Sequence, residues 1–275
     1  MKRDGSGPIW QVFDGPRWRR TAIEALRSSL PRDPPPVWVV LLTSQKNRRF
    51  EVAPISAHEK LRAFQAAGVP AQLITVSNWR QVATSRESLI LSDTLKVMQH
   101  PLPQEIANLP VRNDLDFNPG RDWAWPAVCE ATKRALIALG GWRVEEPVAV
   151  VGAKGFIGKH LVSMLEAGGC RPVALDKDDS LSALSKVNFV VAAASAAGFL
   201  TVRHIRSTHT VLDLGFEKTK SGTAIGNLTT AAFQKANYAT PVPGGMGPAQ
   251  IAILLERYFV MVVGAWPTSN GTGSN

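Results

Sequence analysis

Two glycine-bearing segments of this chain have the residue types and spacing to hold a ligand. The first, Thr240-Pro241-Val242-Pro243-Gly244-Gly245-Met246-Gly247-Pro248, places three prolines and three glycines within nine residues. Proline fixes φ and removes an amide donor, while glycine opens φ > 0 and lets foreign atoms approach the backbone. The segment therefore predicts a rigid, uncrowded loop. The following run Ala249–Tyr258 reads as a helix whose N-terminal amides point back toward that loop. The second segment, Gly152-Ala153-Lys154-Gly155-Phe156-Ile157-Gly158, spaces its glycines as G-x-x-G-x-x-G between an apolar run and a helical pattern. Such a turn lets phosphate oxygens lie against backbone amides at a helix N-terminus, where the dipole favours negative charge. Asp176 ends the next apolar run and has the chemistry to accept a ribose hydroxyl, which completes a dinucleotide-binding pattern.

These residues need a frame. Pro16–Leu30 predicts an amphipathic helix, stopped by the prolines at 31 and 34–36, and Val37–Leu42 a buried strand. A helix over Ser56–Ala67, closed by Gly68, and a strand over Ala71–Val76 continue the alternation of an α/β domain with a mainly parallel sheet. An irregular stretch from Asn113 to Trp125 leads into a long helix over Pro126–Leu139. Beyond it, strands at Pro147–Val151, Arg171–Leu175, Asn188–Ala193 and Thr210–Leu214, with a helix over Lys159–Ala167, make a Rossmann-type pattern. The expected architecture is α/β with two domains and a cleft between them. Residues 1–125 form an N-terminal α/β lobe, completed by a C-terminal helix over 248–265, residues 126–247 form the dinucleotide-binding domain, and 266–275 form a disordered tail.

Bulk properties narrow the partners. The 275 residues are 45% hydrophobic, enough for two cores, and no apolar run approaches the roughly 20 residues of a membrane span. No apolar leader follows the basic N-terminal residues, so a cytoplasmic, membrane-free protein is expected. A formal charge of +9 favours anionic partners, but the basic residues are scattered outside any nucleic-acid motif. A phosphorylated or carboxylated small molecule is expected instead. Cys129 and Cys170 match neither a disulfide framework nor a zinc site, and no histidine has metal-ligand spacing.

The proline-glycine loop resembles the PVPGGVGPMT signature of the bifunctional methylenetetrahydrofolate dehydrogenase/cyclohydrolase family, with Met246 for Val and Ala249-Gln250 for Met-Thr. The resemblance runs from Val12-Phe13-Asp14-Gly15 to Tyr258, its anchors in the family's order. It implies a homodimer that oxidises methylenetetrahydrofolate with NAD or NADP and hydrolyses the methenyl product to formyltetrahydrofolate. Against the family's Y-x-x-x-K-x-K segment, it implies Lys60 as the catalytic lysine, with Ser56 in the tyrosine's place and Arg62 in that of the second lysine. Met98-Gln99-His100-Pro101-Leu102-Pro103 resembles V-Q-L-P-L-P and supplies Gln99 to orient the lysine. Asn113-Asp114-Leu115-Asp116-Phe117 resembles K-D-V-D-G and supplies Asp116, an acceptor for the amino-pyrimidine edge of a pterin. An amine drawn partly out of water suits proton exchange with an attacking water. Ser56, Pro243, Gly244, Gly247 and Pro248 are implied to line the folate cleft.

The cofactor turn resembles G-R-S-x-I-V-G. It implies contacts from Gly152, Ala153, Lys154, Gly155, Phe156, Ile157 and Gly158, with Ala194 and Ser195 near the nicotinamide. Ala153 stands where an arginine would bind a 2′-phosphate, and Asp176-Lys177 where His-Ser would follow the second strand. A carboxylate there favours NAD over NADP, while Lys154 and Lys177 keep the second open. Trp123 and Trp125 replace the family's proline-cysteine-threonine-proline stretch and are candidates to restore the stacking lost at Ser56. These departures also admit a changed substrate on the same fold, or a binding protein without catalysis.

Overall fold

The computed structural model describes residues 13–41, 53–75, 89–92, 114–117, 123–218 and 224–264. The first helix, α1 (Gly15–Ser29), starts where the Asp14 carboxylate accepts the Arg17 amide at 2.9 Å and Pro16 presets φ in the first turn. Its buried stripe is Gly15, Trp18, Ala22 and Leu26, the 3.6-residue period of one apolar face. Strands β1 (Val37–Leu41), β2 (Ala71–Thr75) and β3 (Leu89–Ser92) make a parallel sheet in the order β2-β1-β3, with Val37 opposite both Ala71 and Leu89. Helix α2 (Ala53–Ala66) packs on β1 and β2. The strand β3 was not expected from the sequence.

Helix α3 (Ala127–Leu139) ends at Gly140, whose φ of 81° makes a left-handed cap that glycine adopts without penalty. Then come β4 (Pro147–Val151), α4 (Phe156–Ala167), β5 (Arg171–Leu175), a 3₁₀ turn at Leu181–Lys186, β6 (Phe189–Ala192) and β7 (Thr210–Asp213). A short antiparallel pair, β8 (Glu217–Lys218) with β9 (Ala224–Ile225), precedes α5 (Thr230–Lys235), β10 (Tyr238–Ala239) and α6 (Met246–Val262). The main sheet is parallel throughout, in the order β10-β7-β6-β4-β5. Its chain reverses direction of travel beside β4, so a crevice opens outside the carboxyl ends of β4, β5 and β6.

Two boundaries differ from the sequence reading. α4 begins at Phe156 rather than Lys159, because Gly155 takes the cap position and Phe156, Ile157 and Gly158 are already helical. α6 begins at Met246 and ends at Val262, whereas a helix over 248–265 was expected. Gly247 and Pro248 are tolerated in a first turn, where a missing amide donor leaves no intrahelical bond unmade. α6 lies most extensively against α1 and then α3, and one core cluster runs from Trp18 and Leu26 through Leu115 and Ala131 to Val150 and Leu254. Among the described residues no helix is long and apolar enough to cross a membrane.

Candidate active site

At the carboxyl end of β4 the chain turns sharply. Gly152 has φ of 88°, and a Cβ there would come 2.9 Å from the backbone of Ala193 and Ala194. The turn can therefore lie directly against the end of β6 only as glycine. Gly158 is as crowded: a Cβ would collide with the Gly152 carbonyl oxygen and lie 2.8 Å from Ala153 Cα. The Gly152 and Ala153 amides both donate to the Leu175 carbonyl, at 2.8 and 3.0 Å, which fixes the turn to β5. No side chain caps α4, so its first-turn amides remain available to an anion.

Asp176 follows β5. Its Oδ2 accepts the Lys154 amide and its Oδ1 the Lys177 amide, both at 2.8 Å. These two donors, Lys177 first, hold its carboxyl below the ordinary value, so the group stays ionised at neutral pH. Ala153 is buried, while the Lys154 and Lys177 side chains are exposed to either side. Ala194 is half-buried and Ser195 exposed.

The segment after β6 is held by a residue the sequence reading missed. Asn227 is buried; its Nδ2 donates to the carbonyls of Ala194 at 3.0 Å and Ala196 at 2.6 Å, and its Oδ1 accepts the Ala194 amide at 3.2 Å. Asn227 is fixed in turn by Asp213, whose Oδ1 accepts the Asn227 and Gly215 amides at 3.0 and 2.8 Å and whose Oδ2 accepts Leu228 at 3.0 Å. Burial raises the Asp213 carboxyl, with the three amides opposing it. Asp213 thus fixes the turn that carries Asn227.

The proline-glycine loop is anchored at its ends and open in the middle. Thr240 Oγ1 accepts the Asp213 amide at 2.8 Å, the Gly245 amide donates to Pro241 at 2.8 Å, and Val242-Pro243 is cis. A Cβ at Gly245 would sit 2.6 Å from the Pro241 oxygen, but at Gly244 or Gly247 it would meet nothing within 4 Å. Gly244 and Gly247 thus bound open space, with Pro243 exposed beside them and Pro248 half-buried.

Lys60 lies in the middle of the buried face of α2, in register with Ala57, Ala63, Phe64 and Ala67, and is 1% exposed. A lysine on an amphipathic helix normally faces water, so this burial sets it apart. Ser56 is half-buried one turn earlier. Gln99 lies outside the described residues. Asp116 is fully buried; its carbonyl accepts the Ala127 amide at 3.0 Å, and its Oδ1 accepts the same amide at 3.2 Å. The adjacent Phe117 meets Phe156 edge-on at 5.8 Å and His160 at 4.9 Å, which sets the Asp116 segment against the first turn of α4. One turn along α2 from Lys60, Phe64 meets Tyr258 of α6 edge-on at 5.6 Å.

Both tryptophan rings have partners within the chain. Trp123 lies under the Arg257 guanidinium, 4.8 Å from ring centroid to carbon, and Trp125 meets His160 edge-on at 6.4 Å. Arg257, a second residue missed from sequence, is 5% exposed on α6. Its only sequence signal was a charge interrupting an apolar helical face. Cys129 is a buried thiol whose value burial raises well above the ordinary one, with the Asp116 charge adding to it.

The family model of the tetrahydrofolate dehydrogenase/cyclohydrolase NAD(P)-binding domain matches residues 127–264. The chain belongs to this family. The glycine turn, Asp176, the Asn227-held segment and the proline-glycine loop all fall inside the NAD(P)-binding domain so defined. A curated relative, the bifunctional protein FolD of Nocardia farcinica, is 36% identical over 134 residues, 48% of this chain. The chain's match spans 46% of that relative's length, slightly less than half. Among solved structures, the FolD enzyme of Campylobacter jejuni superposes with a TM-score of 0.72 at 20% identity, covering 89% of this chain and 95% of that one. The Trypanosoma brucei FolD, complexed with NADP and an inhibitor, gives a TM-score of 0.68 at 18% identity, covering 91% and 96%. These likenesses extend the shared fold beyond the NAD(P)-binding domain to nearly the whole chain.

Proposed function

We propose that this FolD-family protein oxidises methylenetetrahydrofolate with a nicotinamide cofactor and hydrolyses the methenyl product to formyltetrahydrofolate, with Lys60, Gln99 and Asp116 as its catalytic and substrate-orienting residues. The observation that carries the reading is a lysine removed from solvent on the helix that the family resemblance selects. A fully buried carboxylate segment packed through Phe117 against the cofactor turn supports it. The turn fits a dinucleotide: glycines where a Cβ would clash, an uncapped helix start, and an ionised carboxylate at the end of β5. When bound, the nicotinamide supplies the hydride acceptor for the methylene carbon.

The chain's own residues do the remainder. First-turn amides of α4 bind the pyrophosphate, and Asp176 takes a ribose hydroxyl through its remaining lone pairs. Asp116 orients the pterin through its amino-pyrimidine edge, and the open side of Gly244 and Gly247 admits the folate against the loop. Lys60 moves a proton to and from the water that opens the methenyl bridge, with Gln99 orienting the amine. The negative charge of Asp176 repels a 2′-phosphate, which favours NAD; exposed Lys154 and Lys177 soften the preference. The resemblance also carries the expectation of a cytoplasmic homodimer; sedimentation reads the dimer and cell fractionation the compartment.

The test is direct. Purified protein is mixed with methylenetetrahydrofolate and NAD or NADP, and reduced nicotinamide is followed by absorbance. Production faster with NAD supports the proposal; protein that binds neither folate nor nicotinamide overturns it.

A further inference from the structure

Helix α6 buries a guanidinium in an otherwise apolar face that includes Leu254, Leu255, Tyr258 and Phe259. Taking a charge out of water is costly unless every donor finds a partner. Arg257 finds three carbonyls: Nη1 donates to Leu115 at 3.0 Å and to Asp116 at 2.6 Å, and Nη2 donates to Trp125 at 2.9 Å. Its guanidinium carbon lies over the Trp123 ring. The acceptors lie at residues 115–116 and at Trp125, so one side chain ties both stretches to α6. The charge also bears on Asp116: burial lowers the guanidinium's value, while Asp116 is the first of the neighbours that raise it. The Asp116 amide is held separately, donating to Asp114 Oδ1 at 2.9 Å.

We propose that Arg257 is a positioning residue for substrate recognition, fixing the backbone at Asp116 and adjoining residues so that this carboxylate meets the donor edge of the folate in one orientation. The inference rests on the folate reading of Asp116. Arginine is required by geometry, since a lysine would bring the charge without a planar fork able to reach separate carbonyls and lie over an indole. A misplacement of about 1 Å in an orienting group costs up to about a hundredfold.

The experiment compares full-length wild type, Arg257→Lys and Trp123→Leu. It measures thermal midpoint, dissociation constants for tetrahydrofolate and NAD, and KM and kcat for methylenetetrahydrofolate. Arg257→Lys is expected to raise the folate KM and dissociation constant at least about tenfold, leaving kcat within about threefold and NAD affinity unchanged. Trp123→Leu, which removes the ring under the guanidinium, shifts the same two quantities by about threefold and serves if the lysine variant does not fold. Equal weakening of both ligands with a lowered midpoint identifies a mere structural staple and overturns the inference. Folate binding like wild type in a folded variant overturns it too. Wild type that binds NAD but no folate sinks the functional reading and this inference with it, whereas folate-binding wild type with insensitive variants sinks the inference alone.

Discussion

Replacing Gly158 by alanine puts one methyl group where the cofactor turn has no room. The added Cβ would collide with the Gly152 carbonyl oxygen and lie 2.8 Å from Gly152 C and Ala153 Cα, all backbone atoms with no side-chain rotation to relieve them. Ordinary carbon contacts lie near 3.5–4.0 Å, so helix and turn must separate by roughly 1 Å. Overpacking of this kind costs about 1–3 kcal/mol, which lowers the thermal midpoint by about 2–4 °C per kcal/mol in a chain of this size. The separation moves the amides meant for the pyrophosphate, so NAD affinity falls by about tenfold to a hundredfold, read by NADH fluorescence titration. Gly247→Ala is the control, since its Cβ meets nothing within 4 Å and stands in the first turn of α6. It leaves the midpoint and NAD binding unchanged and weakens tetrahydrofolate binding if that open space receives substrate. A Gly158→Ala protein with wild-type midpoint and NAD affinity would refute the reasoning.

Three further outcomes follow from the same geometry. Lys60→Met keeps a similar volume on the buried face of α2 and removes the charge, so cyclohydrolysis is lost while oxidation persists and methenyl product accumulates, with stability unchanged or raised; unchanged hydrolysis by stopped assay removes Lys60 from the mechanism. Asn227→Ala cuts three hydrogen bonds to the partly exposed backbone of Ala194 and Ala196, costing about 1–3 kcal/mol in denaturant titration and weakening NAD more than folate. Asp176→Ser brings NAD and NADP affinities closer together. Because the folded-state value of Asp176 is depressed, its contribution is fully present above the unfolded value and is lost only as pH falls through the lower one. Asp176 itself therefore does not titrate from pH 5 to 8, and the NAD preference changes in that range only with the second ionisation of the 2′-phosphate, at about pH 6, growing as the phosphate gains its second charge.

Much of this was legible because local chemistry dictated it. The proline-glycine loop and the G-x-x-G-x-x-G turn could be placed from backbone freedom alone, and their crowded positions at Gly152, Gly158 and Gly245 show what the glycines permit. Asp176 could be placed because a strand end in a parallel sheet points at the crevice. The starts of α4 and α6 were set too late in sequence. Gly-rich and Pro-bearing first turns look like loop, and the helical bonds that recruit them come from residues further on. Strand β3 has only four residues and needs β1 beside it to be recognisable. A lysine on an amphipathic helix normally faces water, and the burial of Lys60 depends on packing that periodicity does not reveal. Asn227 and Arg257 act through backbone carbonyls far away in sequence, at separations of 31–33 and 132–142 residues, and no local pattern encodes such partners.

Helix α6 links these distant parts. Its first residue, Met246, belongs to the proline-glycine loop, and eleven residues later Arg257 grips the carbonyls at Leu115, Asp116 and Trp125, a rise of about 16 Å along one rigid element. Both ends are tied down. At the start, a Cβ on Gly15 would collide with the Gly245 carbonyl oxygen and lie 3.3 Å from the Ala249 amide, so α1 begins in contact with the loop. Farther along, Glu256 forms a two-pronged pair with Arg134 of α3 at 2.6 and 2.8 Å, and Tyr258 Oη donates to Pro35 at 2.6 Å. A helix clamped to α1, α3 and the strand-entry loop cannot move its loop end without disturbing the Asp116 segment. The two proposed folate contacts are thus set at a fixed separation by the fold itself, and changes at Arg257 and Gly247 should couple in a double-mutant cycle on folate binding although about 15 Å of helix separates them. Strict additivity would mean that α6 transmits nothing between the ends of the site.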